Sequence, residues 1–136
     1  MSEQALVNAC LIYLRTQDCM VWRANTGAMR IQAHGRRERF VRFGPVGQPD
    51  IVGYGPSNYG GVGIAVECKR GRNQPTDAQL TFLSESKVRG VFAVCVWDLE
   101  ALMRLWEDFK RQRPLDRPAI VPRSRVVPDR AADVAK

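Results

Sequence analysis

Two carboxylates and an ammonium group fall on two neighbouring apolar stretches of this chain. Asp50 opens Asp50-Ile51-Val52-Gly53-Tyr54, and Glu67 and Lys69 close Gly63-Ile64-Ala65-Val66-Glu67-Cys68-Lys69. Asp50 enters its stretch straight from a Gly47-Gln48-Pro49 turn. Glu67 and Lys69 are two residues apart, so the strand period puts both on one face. Hard divalent cations such as Mg²⁺ and Mn²⁺ take carboxylate oxygens. Bound beside a phosphodiester, such a cation activates water, neutralises charge on the attacked phosphate and stabilises the leaving oxygen. The chemistry these residues suit is therefore metal-dependent phosphodiester hydrolysis. A structural Glu67–Lys69 pair at an exposed strand end is the alternative. Against it, the two residues continue the inner face of an apolar strand, where unpaired charge is costly without a ligand.

The elements that must position these groups follow from spacing. The turn formers Gly55-Pro56-Ser57-Asn58-Tyr59-Gly60-Gly61 join the two stretches as a hairpin. On its second strand Val62, Ile64, Val66 and Cys68 face one way, and Gly63, Ala65, Glu67 and Lys69 the other. Ser2 caps a helix running to about Thr16, with Leu6, Cys10, Tyr13 and Leu14 on its buried face. Cys19 to Asn25 alternates as a first strand, with Met20, Trp22 and Ala24 on one side and Val21, Arg23 and Asn25 on the other. Thr76-Asp77-Ala78-Gln79 is a capping box that opens a helix ending near Arg89. The continuously apolar run Val91 to Trp97 predicts a strand buried on both faces. Asp98 caps a last helix with a stripe of Leu99, Leu102, Met103, Trp106 and Phe109. The expected fold is an α/β domain, a mixed central sheet flanked by helices, over residues 1–112. Residues 113–136, basic and carrying four prolines, are expected to form a flexible tail.

Length and charge narrow the function classes. At 136 residues and 45% hydrophobic, the chain is long enough for one domain with a core. Its net charge of +7 suits a polyanionic partner, and equally keeps a small protein in solution. Between Gly27 and Gln48, a loop or twisted hairpin with Arg39–Phe43 as its best strand, Arg30, Arg36, Arg37, Arg39 and Arg42 face a single acid, Glu38. Arginines that neutralise phosphates release counterions and add affinity without sequence information; a solvated surface loop is the alternative. Arg70, Arg72 and Lys87 extend the positive surface, and Arg23 and Asn25 either contact a nucleic-acid backbone or finish an exposed strand edge. His34 has no neighbouring carboxylate and is not assigned as a base. The four cysteines form no CxxC pair and read as free buried thiols in a reducing compartment. No run approaches a membrane span of about 18 apolar residues, and no secretory signal opens the chain. The glycines at 60, 61 and 63 enter a strand and lack a Gly-Lys-Ser/Thr ending, so no nucleotide cofactor is expected.

The chain resembles the PD-(D/E)xK nuclease superfamily, and within it the virus-type replication-repair nuclease family (VRR-NUC). The resemblance spans roughly Glu3 to Trp97. It rests on Glu3 in the first helix, Arg23-Ala24-Asn25-Thr26-Gly27, Gly47-Gln48-Pro49-Asp50-Ile51-Val52-Gly53, Glu67-Cys68-Lys69, and Gln79 on the following helix. It implies a restriction-endonuclease-like αβββαβ core, with Asp50 and Glu67 binding Mg²⁺ or Mn²⁺, the Cys68 carbonyl as a further ligand, and Lys69 positioning the nucleophilic water. Cys68 stands where such families commonly carry valine, a departure that leaves a main-chain ligand intact. Glu3 would be a metal or second-layer carboxylate by the resemblance, or an acid favoured by the positive end of its helix. Gln79 would lie beside the active site, or simply close the capping box. The implied activity is a DNA endonuclease leaving 5′-phosphate and 3′-hydroxyl ends, acting as a homodimer on branched DNA such as a Holliday junction. The expected setting is the cytoplasm, that of a host where the chain is of phage or prophage origin. The alternatives are a nonenzymatic nucleic-acid-binding module, and a nuclease of flap, single-strand or duplex specificity.

Overall fold

The computed structural model describes residues 1–24, 28–31, 39–42 and 44–113. Helix α1, Glu3–Thr16, starts where Ser2 Oγ accepts from Ala5 N at 3.0 Å, and buries Leu6, Val7, Cys10, Leu11 and Leu14. The strands are β1 (Met20–Arg23), β2 (Ala28–Ile31), β3 (Arg39–Arg42), β4 (Ile51–Tyr54), β5 (Gly63–Cys68) and β6 (Phe92–Val96). Helix α2, Asp77–Val88, precedes β6, and α3, Leu99–Gln112, follows it with Asp98 as its cap. The main sheet is mixed, in the order β1-β4-β5-β6: β1/β4 and β4/β5 are antiparallel and β5/β6 parallel. The parallel pair needs a crossover, and α2 supplies it. The stretch left open as a loop or hairpin contains a hairpin: β2 and β3 pair antiparallel as a separate two-stranded sheet, with Arg30 opposite Phe40 and Ile31 opposite Arg39.

One face of the main sheet carries Val21, Ile51, Ile64, Val66, Cys68, Phe92 and Val96, and packs against the apolar faces of α1 and α3. Trp106 is fully buried there, edge-on to Phe92 at 5.1 Å and stacked on Phe109 at 5.7 Å. Truncating a side chain so placed to alanine costs about 3–5 kcal/mol. The opposite face carries Glu67 and Cys95 and receives α2 over β5 and β6.

Two sequence expectations are corrected. The run Val91–Trp97 is not buried on both faces: β6 is the edge of the sheet, so only Phe92 and Val96 are buried and Ala93, Val94 and Cys95 are half-exposed. An apolar run reports that helices cover a strand, as α2 and α3 do here, but not whether another strand lies beyond it. On α3, Met103 is exposed, and Leu105 packs against the core with Leu99 and Phe109. The alternation expected along β1 is present, and of its two sides Val21 enters the core while Met20 and Trp22 stay exposed. The proposed tail, after Arg113, lies outside the described residues. No described helix is long and apolar enough to cross a membrane.

Candidate active site

The antiparallel register of β4 and β5 sets Ile51 opposite Val66, so one further step places Asp50 across from Glu67. Asp50 Oδ2 accepts a 2.8 Å hydrogen bond from Cys68 N, which closes the end of the ladder with a side chain. Ahead of Asp50 the chain turns through buried Pro49 and through Gly47, whose φ is +82°. A Cβ at Gly47 would stand 2.3 Å from Ala78 O, so this turn seats directly on the first turn of α2.

That first turn carries Gln79. Its Oε1 accepts from Thr76 N at 2.9 Å and its backbone N donates to Thr76 Oγ1 at 3.2 Å, completing the capping box. Its Nε2 donates to Glu67 Oε1 at 3.2 Å. The sequence set the cap and the site against each other as alternatives for Gln79; one amide has two ends, and while one closes the cap the other touches Glu67. Lys69 Nζ lies 3.4 Å from the same Glu67 oxygen. Asp50, Glu67, Lys69 and Gln79 thus converge at one end of the sheet.

Glu67 is 2% exposed, the one buried charged residue described. Burial first, then the negative charge of Asp50, pushes its carboxyl up to about 8, with Lys69 pulling the other way. A hydrogen bond to Asp50 that only the protonated form donates adds to the rise. Two carboxylates that resist being charged together fit a hard divalent cation, whose charge removes that resistance. Among the described residues no group of three or more His, Cys, Asp or Glu side chains is assembled for a metal. Such a cation would thus be held by two side chains, with main-chain and solvent oxygens, as suits Mg²⁺.

Glu3 stands half-buried in the first turn of α1, outside that set. Its charge acts on the Cys95 thiol, which burial first, then Glu67, pushes up to about 11. Arg23 is exposed and donates from Nη2 to Asn8 Oδ1 on α1 at 2.8 Å. Arg70 Nη1 donates to Trp97 O at 3.1 Å, and Arg72 sits in the exposed turn after it. Arg30, Arg39 and Arg42 belong to the β2–β3 hairpin, and Asn25, Arg36 and Arg37 lie outside the described residues. Behind the site, the buried Cys68 thiol donates to Cys10 Sγ at 3.9 Å, and that bond, then burial, pushes Cys68 up. No signal in the sequence beyond shared apolar faces links these two cysteines. A groove of about 600 Å³ runs along the flank of α2 past Val46, Thr81, Phe82 and Glu85, none of which belongs to the carboxylate cluster. No protein-family model matches this chain, and no curated protein matches it either.

Proposed function

We propose that this chain is a Mg²⁺- or Mn²⁺-dependent DNA endonuclease with a restriction-endonuclease-like fold, acting on branched DNA such as a four-way junction. The observation that carries this reading is the buried Glu67 carboxylate set against Asp50 while both Lys69 and Gln79 touch its Oε1. A structural ion pair accounts for Glu67 with Lys69 and a ladder cap accounts for Asp50, but neither explains why the two acids are set against each other at a cost that pushes the Glu67 carboxyl up. When bound, the cation supplies charge neutralisation at the phosphate and an activated water. The chain's own residues hold the geometry. Cys68 N fixes the rotamer of Asp50, Gln79 Nε2 fixes that of Glu67, and Lys69 keeps an ammonium on the same sheet face to position the attacking water. Support for branched DNA and for a homodimer comes from the family resemblance, since two symmetric sites suit two opposed cuts.

The test is incubation with labelled four-way, flapped, single-stranded and linear duplex DNA, in Mn²⁺ or in EDTA. Wild type is compared with Asp50→Ala and Lys69→Ala. Metal-dependent cutting of the junction, lost in both variants while DNA binding survives, is the expected result. Equal cleavage by wild type and Asp50→Ala removes that aspartate from the mechanism. Tight, salt-sensitive binding without cutting at any Mg²⁺ or Mn²⁺ concentration leaves a nonenzymatic binding module.

A further inference from the structure

On the face of the sheet that carries Glu67, α2 packs on β5 and β6, and Met20 and Trp22 of β1 and Tyr54 of β4 are exposed beside half-buried Val52. Trp22 is 42% exposed, Tyr54 53% and Met20 66%. The register places Trp22 beside Val52 and Met20 beside Tyr54, in two successive rows of one face. Val52 in turn lies beside Ala65, one row from the row of Asp50 and Glu67. Rows on one face are about 7 Å apart and strands about 4.8 Å, so the Trp22 position lies about 8 Å from that of Asp50 and about 12 Å from that of Glu67, roughly two to four base steps of 3.4 Å. The Trp22 and Tyr54 rings are 6.0 Å apart and tilted by 56°, so neither ring is stacked face to face on the other.

We infer that Trp22 and Tyr54 form a stacking platform for unpaired bases of a nucleic-acid strand, next to the phosphate held at Asp50 and Glu67. The inference rests on the nuclease reading for that placement, and names the substrate feature the site prefers: nucleotides freed from a duplex, as at a branch or flap. Every base has a π-face, so stacking on aromatic side chains is tolerant of sequence and is enriched where single strands are gripped. Charge favours this occupant over a second copy of the chain. The residues that β1 and β4 turn to this face, Met20, Trp22, Val52 and Tyr54, include no acid, Lys69 continues the same face, and the chain carries +7. A polyanionic strand is attracted to such a face, whereas two copies brought together through it repel.

The test separates stacking from apolar burial and from catalysis. A fluorescein-labelled single-stranded oligonucleotide and a blunt duplex are titrated in EDTA with wild type, Trp22→Phe and Trp22→Leu. Stacking predicts that Trp22→Leu binds the single strand about tenfold more weakly while Trp22→Phe stays within about twofold, and that duplex binding is unchanged in both. Equal single-strand affinity for Trp22→Leu and wild type overturns the platform. Equal loss of duplex binding also overturns it, because a general docking surface would then be at work. So does a change of sedimentation coefficient in Trp22→Leu with binding intact, which marks a self-association face. Because EDTA removes cleavage from the measurement, a wild type that grips single strands through Trp22 but cuts nothing in Mn²⁺ sinks the nuclease and leaves the platform.

Discussion

Gln79 Nε2 donates to Glu67 Oε1 at 3.2 Å while the oxygen of the same amide accepts from Thr76 N at 2.9 Å. The start of α2 and the buried carboxylate are therefore held by one side chain, and the two roles separate by mutation. Thr76→Ala removes only the capping hydroxyl, at a cost of about 1 kcal/mol. Its backbone N–H still holds Gln79, so cleavage should stay within a few-fold of wild type. Gln79→Ala should cost a similar amount of stability and lower cleavage by about tenfold or more, since a group ordering a ligand carboxylate typically carries 10–100-fold. Urea midpoints and single-turnover rates on the same preparations check both. Equal catalytic damage by the two variants would mean that helix order, and not the amide contact, matters.

Asp50 supplies both a negative charge and an acceptor for Cys68 N. Asp50→Asn keeps an acceptor in place, whereas Asp50→Ala strands a part-buried N–H, which costs about 1–3 kcal/mol. In metal-free buffer the asparagine variant should therefore melt close to wild type, and the alanine variant distinctly lower. With Mn²⁺ at a hundred times its dissociation constant wild type should gain about 2.7 kcal/mol, and neither variant should respond. Thermal melts with and without Mn²⁺ decide this, and an undiminished response in Asp50→Asn would place the cation elsewhere.

Most elements, and the meeting of Asp50, Glu67 and Lys69 at one end of the sheet, were legible in the sequence because both are written in short-range patterns. The caps at Ser2 and Thr76, the alternation through Glu67 and Lys69, and the glycine-rich turn between β4 and β5 each need only a few consecutive residues. What stayed hidden depends on distant partners. Whether β6 is central or at the edge is decided by strand order, which an apolar run does not encode. Met103 and Leu105 are both apolar and two positions apart, so only the seating of α3 on the sheet decides which is buried. Exposure of Trp22 and Tyr54 follows from where α2 stops covering the sheet, a fact that neither strand carries.

Gly47 ties the Asp50 strand to α2 through backbone alone. Its φ of +82° suits glycine, and a Cβ there would press on Ala78 O and Gln79 N. Gly47→Ala should thus cost more than about 1 kcal/mol. Because the first turn of α2 must move to relieve the contact, cleavage should fall with stability, and adding Mn²⁺ should recover only part of the loss. Chemical denaturation together with Mn²⁺ titration of the variant tests this. A fully stable Gly47→Ala with normal metal affinity would show that the turn and helix move independently.

Glu67 gives the fold a pH dependence of definite sign. Its carboxyl is pushed up to about 8 from an ordinary value of 4.5, so between these values the folded chain keeps a proton that the unfolded chain has released. Stability then falls as pH rises. The contribution is whole below about 4.5 and is lost as pH passes through 8. Metal-free wild type should therefore have a lower urea midpoint at pH 8 than at pH 5.5, and Glu67→Gln, which holds no titrating proton, should flatten that slope. A cation binding the deprotonated pair reverses the trend, because its affinity grows as the proton leaves. Mn²⁺ should accordingly raise the midpoint more at pH 8 than at pH 5.5 in wild type and at neither pH in Glu67→Gln. A metal-free slope shared by wild type and Glu67→Gln would assign the titration to another group and strip Glu67 of the strain that a cation is here argued to relieve.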